Sequence, residues 1–204
     1  MDESQLIASA QNGDLSAFNR LVLQHQGVAY NVAYRIMGDP DRAADATQDA
    51  FIKAYKALSR FRGKHFKPWL LRIVTNTCYD YLRAAKRKPA SSLDDDQFNK
   101  EHTLRLHDPG EGPEKRLERQ ELNHVIQQSI YRLSDDHRAV IVLVDIQGLS
   151  YEDAAQVLDI SLGTVKSRIS RARAHLRTIL QDYQELLPER YRLSHRGHTP
   201  SAHP

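Results

Sequence analysis

Cysteine is almost missing from this chain of 204 residues: Cys78 stands alone, so no internal disulfide can form. That excludes a disulfide-stapled secreted scaffold and fits a reducing compartment, with the cytoplasm as the expected location. Aromatic residues are sparse at 7%, with a single Trp. Long apolar runs are lacking too. None approaches the roughly 18 to 20 residues of a membrane span, and the opening MDESQLIASAQNGD has neither the basic nor the apolar segment of an export signal. Neither sign of charge dominates, because 29 Lys and Arg against 26 Asp and Glu leave a formal net charge of +3. Overall balance therefore says little until the charges are located. Motifs of catalysis are missing as well: there is no Gly-rich phosphate loop, no HExxH and no paired metal-ligand spacing. No enzyme activity, cofactor or metal is expected.

What is there is helical periodicity and segregated charge. Residues Leu6 to Met37 carry apolar side chains at helical spacing, broken at Gly13-Asp14 and ended by Gly38-Asp39-Pro40. The next helix, Asp41 to Ser59, has Ala43, Ala46, Ala50, Phe51, Ala54, Tyr55 and Leu58 as its buried stripe. Its polar edge is Asp45, Gln48, Asp49 and Lys53, which by itself reads as a solvated face with Asp49 paired to Lys53. From Arg60 to Lys88 the basic residues are opposed by Asp80 alone, while acid collects at Asp39 to Asp49, Asp94 to Asp96 and Asp135-Asp136.

In the basic stretch, Ser59 to Lys67 reads as a loop with Phe61 and Phe66 either side of Gly63. Exposed rings among cations suit unstacked bases, though the same two rings could instead plug the core. A helix predicted from Pro68 to Arg87 turns Leu70, Ile73, Val74, Thr77 and Tyr81 inward and groups Arg72, Asn76, Tyr79 and Arg83 outward. Asn76 there offers both donor and acceptor to a base edge.

Lys88 to about Glu114 has Pro, Gly, Ser and charge without apolar period, and reads as a flexible linker. Two further helices follow, Leu117 to Leu133 and Asp135 to Gln147, the latter capped by Ser134 and stopped by Gly148. Ser150 to Leu180 then holds a short capped helix with Ala154, Ala155 and Leu158 on one side. After a break at Asp159-Ile160-Ser161 comes a second helix whose Val165, Ile169, Ala172, Leu176 and Ile179 face the core. That is a helix-turn-helix. The outward side of its second helix carries Ser167, Ser170, Arg171 and Ala174, short enough to let the backbone sit deep in a major groove, flanked by Lys166, Arg168, Arg173 and Arg177. A solvated basic helix is the plainer alternative.

These elements predict an all-α chain of two small helical domains, 1–88 and 116–182, joined by a linker at 89–115 and followed by a tail at 183–204. His195, His198 and His203 fall in that tail.

Four strings resemble the extracytoplasmic-function (group IV) sigma factors of bacterial RNA polymerase. GLSYEDAAQVLDISLGTVKSRISRAR resembles the part that reads the minus 35 element, and NGDLSAFNRLVLQH the family's first block. DATQDAFIKAY is similar to the block that docks on the polymerase β′ clamp helices, and FRGKHFKPWLLRIVTNTCYDYLR to the minus 10 melting block. The resemblance implies minus 35 contacts by Thr164, Lys166, Ser167, Arg168, Ser170, Arg171 and Arg173. It implies minus 10 contacts by Phe61, Lys64, His65, Phe66, Arg72, Asn76, Tyr79, Asp80 and Arg83, and core polymerase contacts by Asp45, Gln48, Asp49 and Lys53. Implied partners are core polymerase, through β′ clamp helices and β flap, promoter DNA in duplex and single-stranded form, and an anti-sigma factor; membrane insertion is not expected. The function implied is promoter-directed initiation, and a stand-alone helix-turn-helix regulator is the alternative.

Overall fold

The computed structural model describes residues 2–63, 65–87 and 113–183, and among them every regular element is helical. The all-α expectation is met. The expected linker, its Asp94 to Asp96 run and the His-containing tail lie almost wholly outside the described residues.

Four helices make the first unit. In α1 (Glu3–Gln11) Asp2 and Gln5 close a capping box, each side chain accepting from the other's backbone N–H at 2.8 and 3.1 Å. The second, α2 (Leu15–Met37), is capped by Asp14 and ends at Gly38, whose φ of 75° a β-carbon would oppose. Asp39 then caps α3 (Pro40–Ala57), with Pro40 in the first turn, where a missing N–H removes no bond. Ala43, Ala46, Ala50 and Ala54 are fully buried, so α3 lies close against both α2 and α4. Tyr55, expected in that stripe, is instead 44% exposed and lies on the Phe18 ring at 4.9 Å. After a 3-10 turn at Leu58–Arg60, α4 (Phe66–Arg87) begins before Pro68, because Phe66 is drawn fully into the core and Pro68 still falls within the first turn.

The second unit holds α5 (Pro113–Tyr131), α6 (Asp135–Ile141), α7 (Tyr151–Leu158) and α8 (Leu162–Gln181). One helix was expected from Asp135 to Gln147. Instead α6 passes into a π turn at Val142–Ile146, where Gln147 N–H donates to the Val142 carbonyl at 3.0 Å. Gly148, with φ 68°, ends it.

The two units pack on each other, α4 against α7 and α2 against α5 and α6. The contact is rich in polar groups. Arg35 donates to the Gln127 side chain at 2.9 Å, Gln127 to the Tyr34 carbonyl at 3.3 Å, and Gln147 to Asn31 at 3.1 Å. Lys86 pairs with Asp135 at 2.7 Å. At its centre Arg138, 4% exposed, donates to the carbonyl of Ile36 in the first unit and to those of Tyr131 and Leu133 in its own.

Arg138→Met keeps the stem but leaves those carbonyls buried without a donor, so stability in urea unfolding should fall by about 2–4 kcal/mol. A fall below about 1 kcal/mol would mean that water replaces the guanidinium at no cost.

Candidate nucleic-acid interface

Ser150 and Ser161 build the helix-turn-helix as their positions predict, accepting from the N–H of Asp153 at 3.0 Å and of Thr164 at 3.1 Å. Asp153 completes the cap of α7 through the Ser150 hydroxyl, which donates to its carboxylate at 2.8 Å. Between the helices Asp159 takes a left-handed conformation, φ 55°, that a side chain able to bond locally tolerates. Val157 is the buried anchor of α7, a residue the expected stripe of Ala154, Ala155 and Leu158 left out.

On α8 Val165, Ile169, Ala172 and Ile179 are buried, which leaves Ser167, Ser170, Arg171 and Ala174 exposed along the opposite side. Thr164 shares a hydrogen bond with Ser161 at 2.8 Å and serves the cap. The flanking cations divide into two groups. Lys166, Arg171 and Arg177 are exposed with no ion pair among the described residues. Arg168 pairs with Asp136 at 2.7 Å, and Arg173 grips Asp145 with two nitrogens at 2.6 and 3.1 Å. That bidentate bond to Asp145 raises the Arg173 pKa above the ordinary guanidinium value. The π turn puts Asp145 there, and sequence periodicity carries no signal of it.

On α4 the outward face is present in part. Arg72, Asn76 and Arg83 are exposed, Arg83 bonding Asp80 at 3.1 Å. Tyr79 departs from its expected outward position: it is half-buried, with its phenol pKa pushed up by that burial and next by Asp136. Arg72 lies 3.6 Å from Asp159 of the second unit.

Of the two alternatives open for Phe61 and Phe66, the structure shows the buried one. Their rings are 6% and 0% exposed, so in this arrangement neither can stack on a base. Both pack with Trp69, at 4.9 and 5.4 Å, and Phe66 with His25 at 5.1 Å, which makes them core plugs that tie the loop down. Gly63 follows from this clustering, since a β-carbon there would stand 2.7 Å from Phe61 Cε2. Lys64 lies outside the described residues. Exposed His65 lines a cleft of about 290 Å³ together with Arg60, Arg62 and Arg72, with Asp153 and Gln156 of α7 also in its lining. Arg60 and Arg62 belong to the basic block but had no assigned role. Their contribution to this cleft depends on the packing of the two units.

The α3 edge is structured too. Asp45, Gln48 and Lys53 are exposed, while Asp49 accepts from the Tyr81 phenol at 2.8 Å. Lys53 turns away from Asp49, donating to Thr77 at 3.2 Å and pairing with Asp80 at 3.6 Å. Among the described residues no cluster of ligating side chains could hold a metal ion, and no helix is long and apolar enough to cross a membrane.

Sigma-70 region 2 matches residues 21–88 and sigma-70 region 4 matches residues 124–176. The chain is 40% identical over 184 residues to the RNA polymerase sigma-H factor of Pseudomonas aeruginosa, covering 88% of this chain and 94% of that one. It is 38% identical over 178 residues to the ECF RNA polymerase sigma-E factor of Escherichia coli, covering 85% of this chain and 91% of the relative. The chain is an extracytoplasmic-function sigma factor of the sigma-70 family.

Solved structures agree with this sigma factor's fold. CnrH in complex with the cytosolic domain of CnrY matches with a TM-score of 0.60 at 32% identity, over 87% of this chain and 96% of that one. The sigma factor RpoE in complex with the anti-sigma factor NepR from Bartonella quintana matches at 0.61 and 27%, over 81% and 98%. The resemblance read from the four sequence strings is thereby borne out.

One consequence of the α3–α4 contact is measurable. Donating to Asp49 holds the Tyr81 phenol protonated, and its pKa is pushed from 10.0 up to about 12. The stabilisation is complete below pH 10.0 and lost as the pH rises through about 12, so Tyr81→Phe should flatten that part of the stability profile and remove one late-ionising phenol from the ultraviolet titration. Loss of a phenol that ionises near the ordinary 10.0, with the late phase intact, would show that Asp49 does not hold Tyr81.

Proposed function

We propose that this sigma factor divides a promoter between its two faces, α8 reading the minus 35 duplex and α4 with the preceding loop capturing a non-template base at minus 10. It directs promoter-specific initiation by core RNA polymerase, as its family does, and acts as a binding factor with no chemistry of its own. The observation that carries the reading is the exposed side of α8: small Ser167, Ser170 and Ala174 around Arg171, with Lys166 at the flank, on a capped helix-turn-helix. Small side chains admit the backbone to the groove, Arg171 can bond a guanine edge bidentately, and the flanking cations meet phosphates.

For minus 10, exposed Asn76 and His65, with Arg72 and Arg83, are the groups we assign to the opened strand, and buried Phe61 and Phe66 are assigned to holding the loop. We assign Asp45, Gln48 and Lys53 to the β′ clamp helices, with Asp49 fixed by Tyr81 as a second-line support, and the outer surface of the second unit to the β flap. The modules are taken as 1–88 and 116–182, with 89–115 between them. An anti-sigma factor is a fitting partner because the similar Bartonella structure holds one. A stand-alone regulator would leave the α3 edge and the α4 face without a role, and co-purification with core polymerase separates the two readings.

Arg171→Ala should cost on the order of 1–3 kcal/mol and relax preference at one minus 35 base pair in a panel of duplexes. Lys166→Ala should weaken all duplexes alike and lower the salt slope by about 1. Equal losses on every duplex from Arg171→Ala would refute its base contact. Asn76→Ala should slow promoter opening, followed by permanganate reactivity, while duplex binding at minus 35 persists. Damage to both steps in equal measure would contradict the division of labour.

A further inference from the structure

The flank of α8 that carries Lys166 also carries Arg173 and Arg177, because steps of seven and eleven residues bring a helix back to within about 20° of the same direction. Left to themselves these side chains would form a row of three cations beside the groove, each open to a phosphate. The middle one is taken. Arg173 donates to both carboxylate oxygens of Asp145, Nη2 to one at 2.6 Å and Nε to the other at 3.1 Å. Those are two nitrogens of the fork that a guanidinium offers to a phosphate. On the opposite flank Arg168 is held by Asp136 at 2.7 Å.

The π turn at Val142–Ile146 is what presents the carboxylate. It fits one residue more than an α-helical turn and so rotates the side chains after it by about 100° from the phase of α6, while the packing of α6 on α8 supplies the closeness. The Arg173 and Asp145 side chains remain 49% and 32% exposed, so the pair adds little to folding. Its larger consequence is for charge, since a neutral pair stands in the middle of the row. We infer that Asp145 sets the strength of the minus 35 contact: it keeps Arg173 off the phosphates, so that α8 is held by Lys166 and its base-reading apex and releases readily. This rests on the functional reading of α8 above. Phosphate contacts carry no sequence information, so the effect falls on all duplexes alike and leaves the preference among them to Arg171.

The test uses the full chain with core polymerase and two duplexes, one selected from a library randomised at minus 35 and the same duplex with that element scrambled. Asp145→Asn removes the charge and keeps the size. It should raise affinity for both duplexes about three- to tenfold, steepen the salt slope by about 1 and lengthen the dissociation half-life in proportion. The ratio between the two duplexes should stay within about twofold of wild type. Asp145→Ser should act in the same way, whereas Asp145→Glu, which keeps the carboxylate, should stay near wild type. In Asp145→Asn, Arg173→Gln the freed cation is gone, and affinity and slope should return to within about twofold of wild type. Weaker binding by Asp145→Asn would show that the carboxylate aims Arg173 at DNA and would overturn the proposal. An unchanged salt slope, or a gain that persists in the double variant, would overturn it too. A wild-type complex that binds selected and scrambled duplexes alike would instead overturn the reading of α8.

Discussion

Arg138 is a cation taken out of water, and the arrangement of the two helical units turns on how that cost is met. Burial lowers its pKa before any neighbour acts, so the guanidinium needs partners in fixed places. It finds them at helix ends. The Ile36 carbonyl lies in the last turn of α2, and those of Tyr131 and Leu133 lie at and just beyond the end of α5. C-terminal carbonyls are the acceptors a helix leaves unsatisfied, and they carry its partial negative charge. One guanidinium thus serves two helix termini from different units, with the Tyr131 ring beneath it at 4.4 Å. Its Nε has no partner among the described atoms, while a carboxylate oxygen of Asp135 lies 3.7 Å from a terminal nitrogen.

Around this junction the cations of the DNA faces are not simply a positive surface. Arg72, Arg168 and Arg173 each oppose an aspartate, whereas Lys166 and Arg171 oppose none among the described residues. Exposed pairs of this kind contribute at most about 1 kcal/mol to folding, so stability is a poor account of their value. Their effect on recognition is larger in kind. A phosphate must compete with a carboxylate for each paired arginine, which trims the non-specific attraction that uncompensated cations would give. The proposed base-reading role of Arg171 fits this contrast, since its neighbours are damped and it is exposed.

Much of this was legible in the chain itself. Helical spacing in α1 to α4 and the serine caps of α7 and α8 arise from local physics, and local physics is what a sequence displays directly. The small apex of α8 could be read because outward and inward positions alternate with a known period. Phe61 and Phe66 were ambiguous for a physical reason: a ring among cations suits both a base and a core, and only Trp69 and His25, brought near by folding, decide between them. Tyr79, Arg60 and Arg62 depend on contacts between units far apart in sequence, which no period encodes. The π turn is hidden for another reason. Val142, Leu143 and Val144 suit a regular helix, and the extra residue is imposed by the packing of α6 on α8 and by Gly148 beyond.

Gly63 limits how the loop before α4 could evolve. The space a side chain would need at that residue is already taken by the edge of Phe61, which is itself buried against Trp69. Under the proposed role of the loop, variation in what it reads, in nature or in a saturation library, falls to the residues flanking the glycine. A change at the glycine itself loosens the ring packed on Trp69, and so alters the rigidity of the loop first.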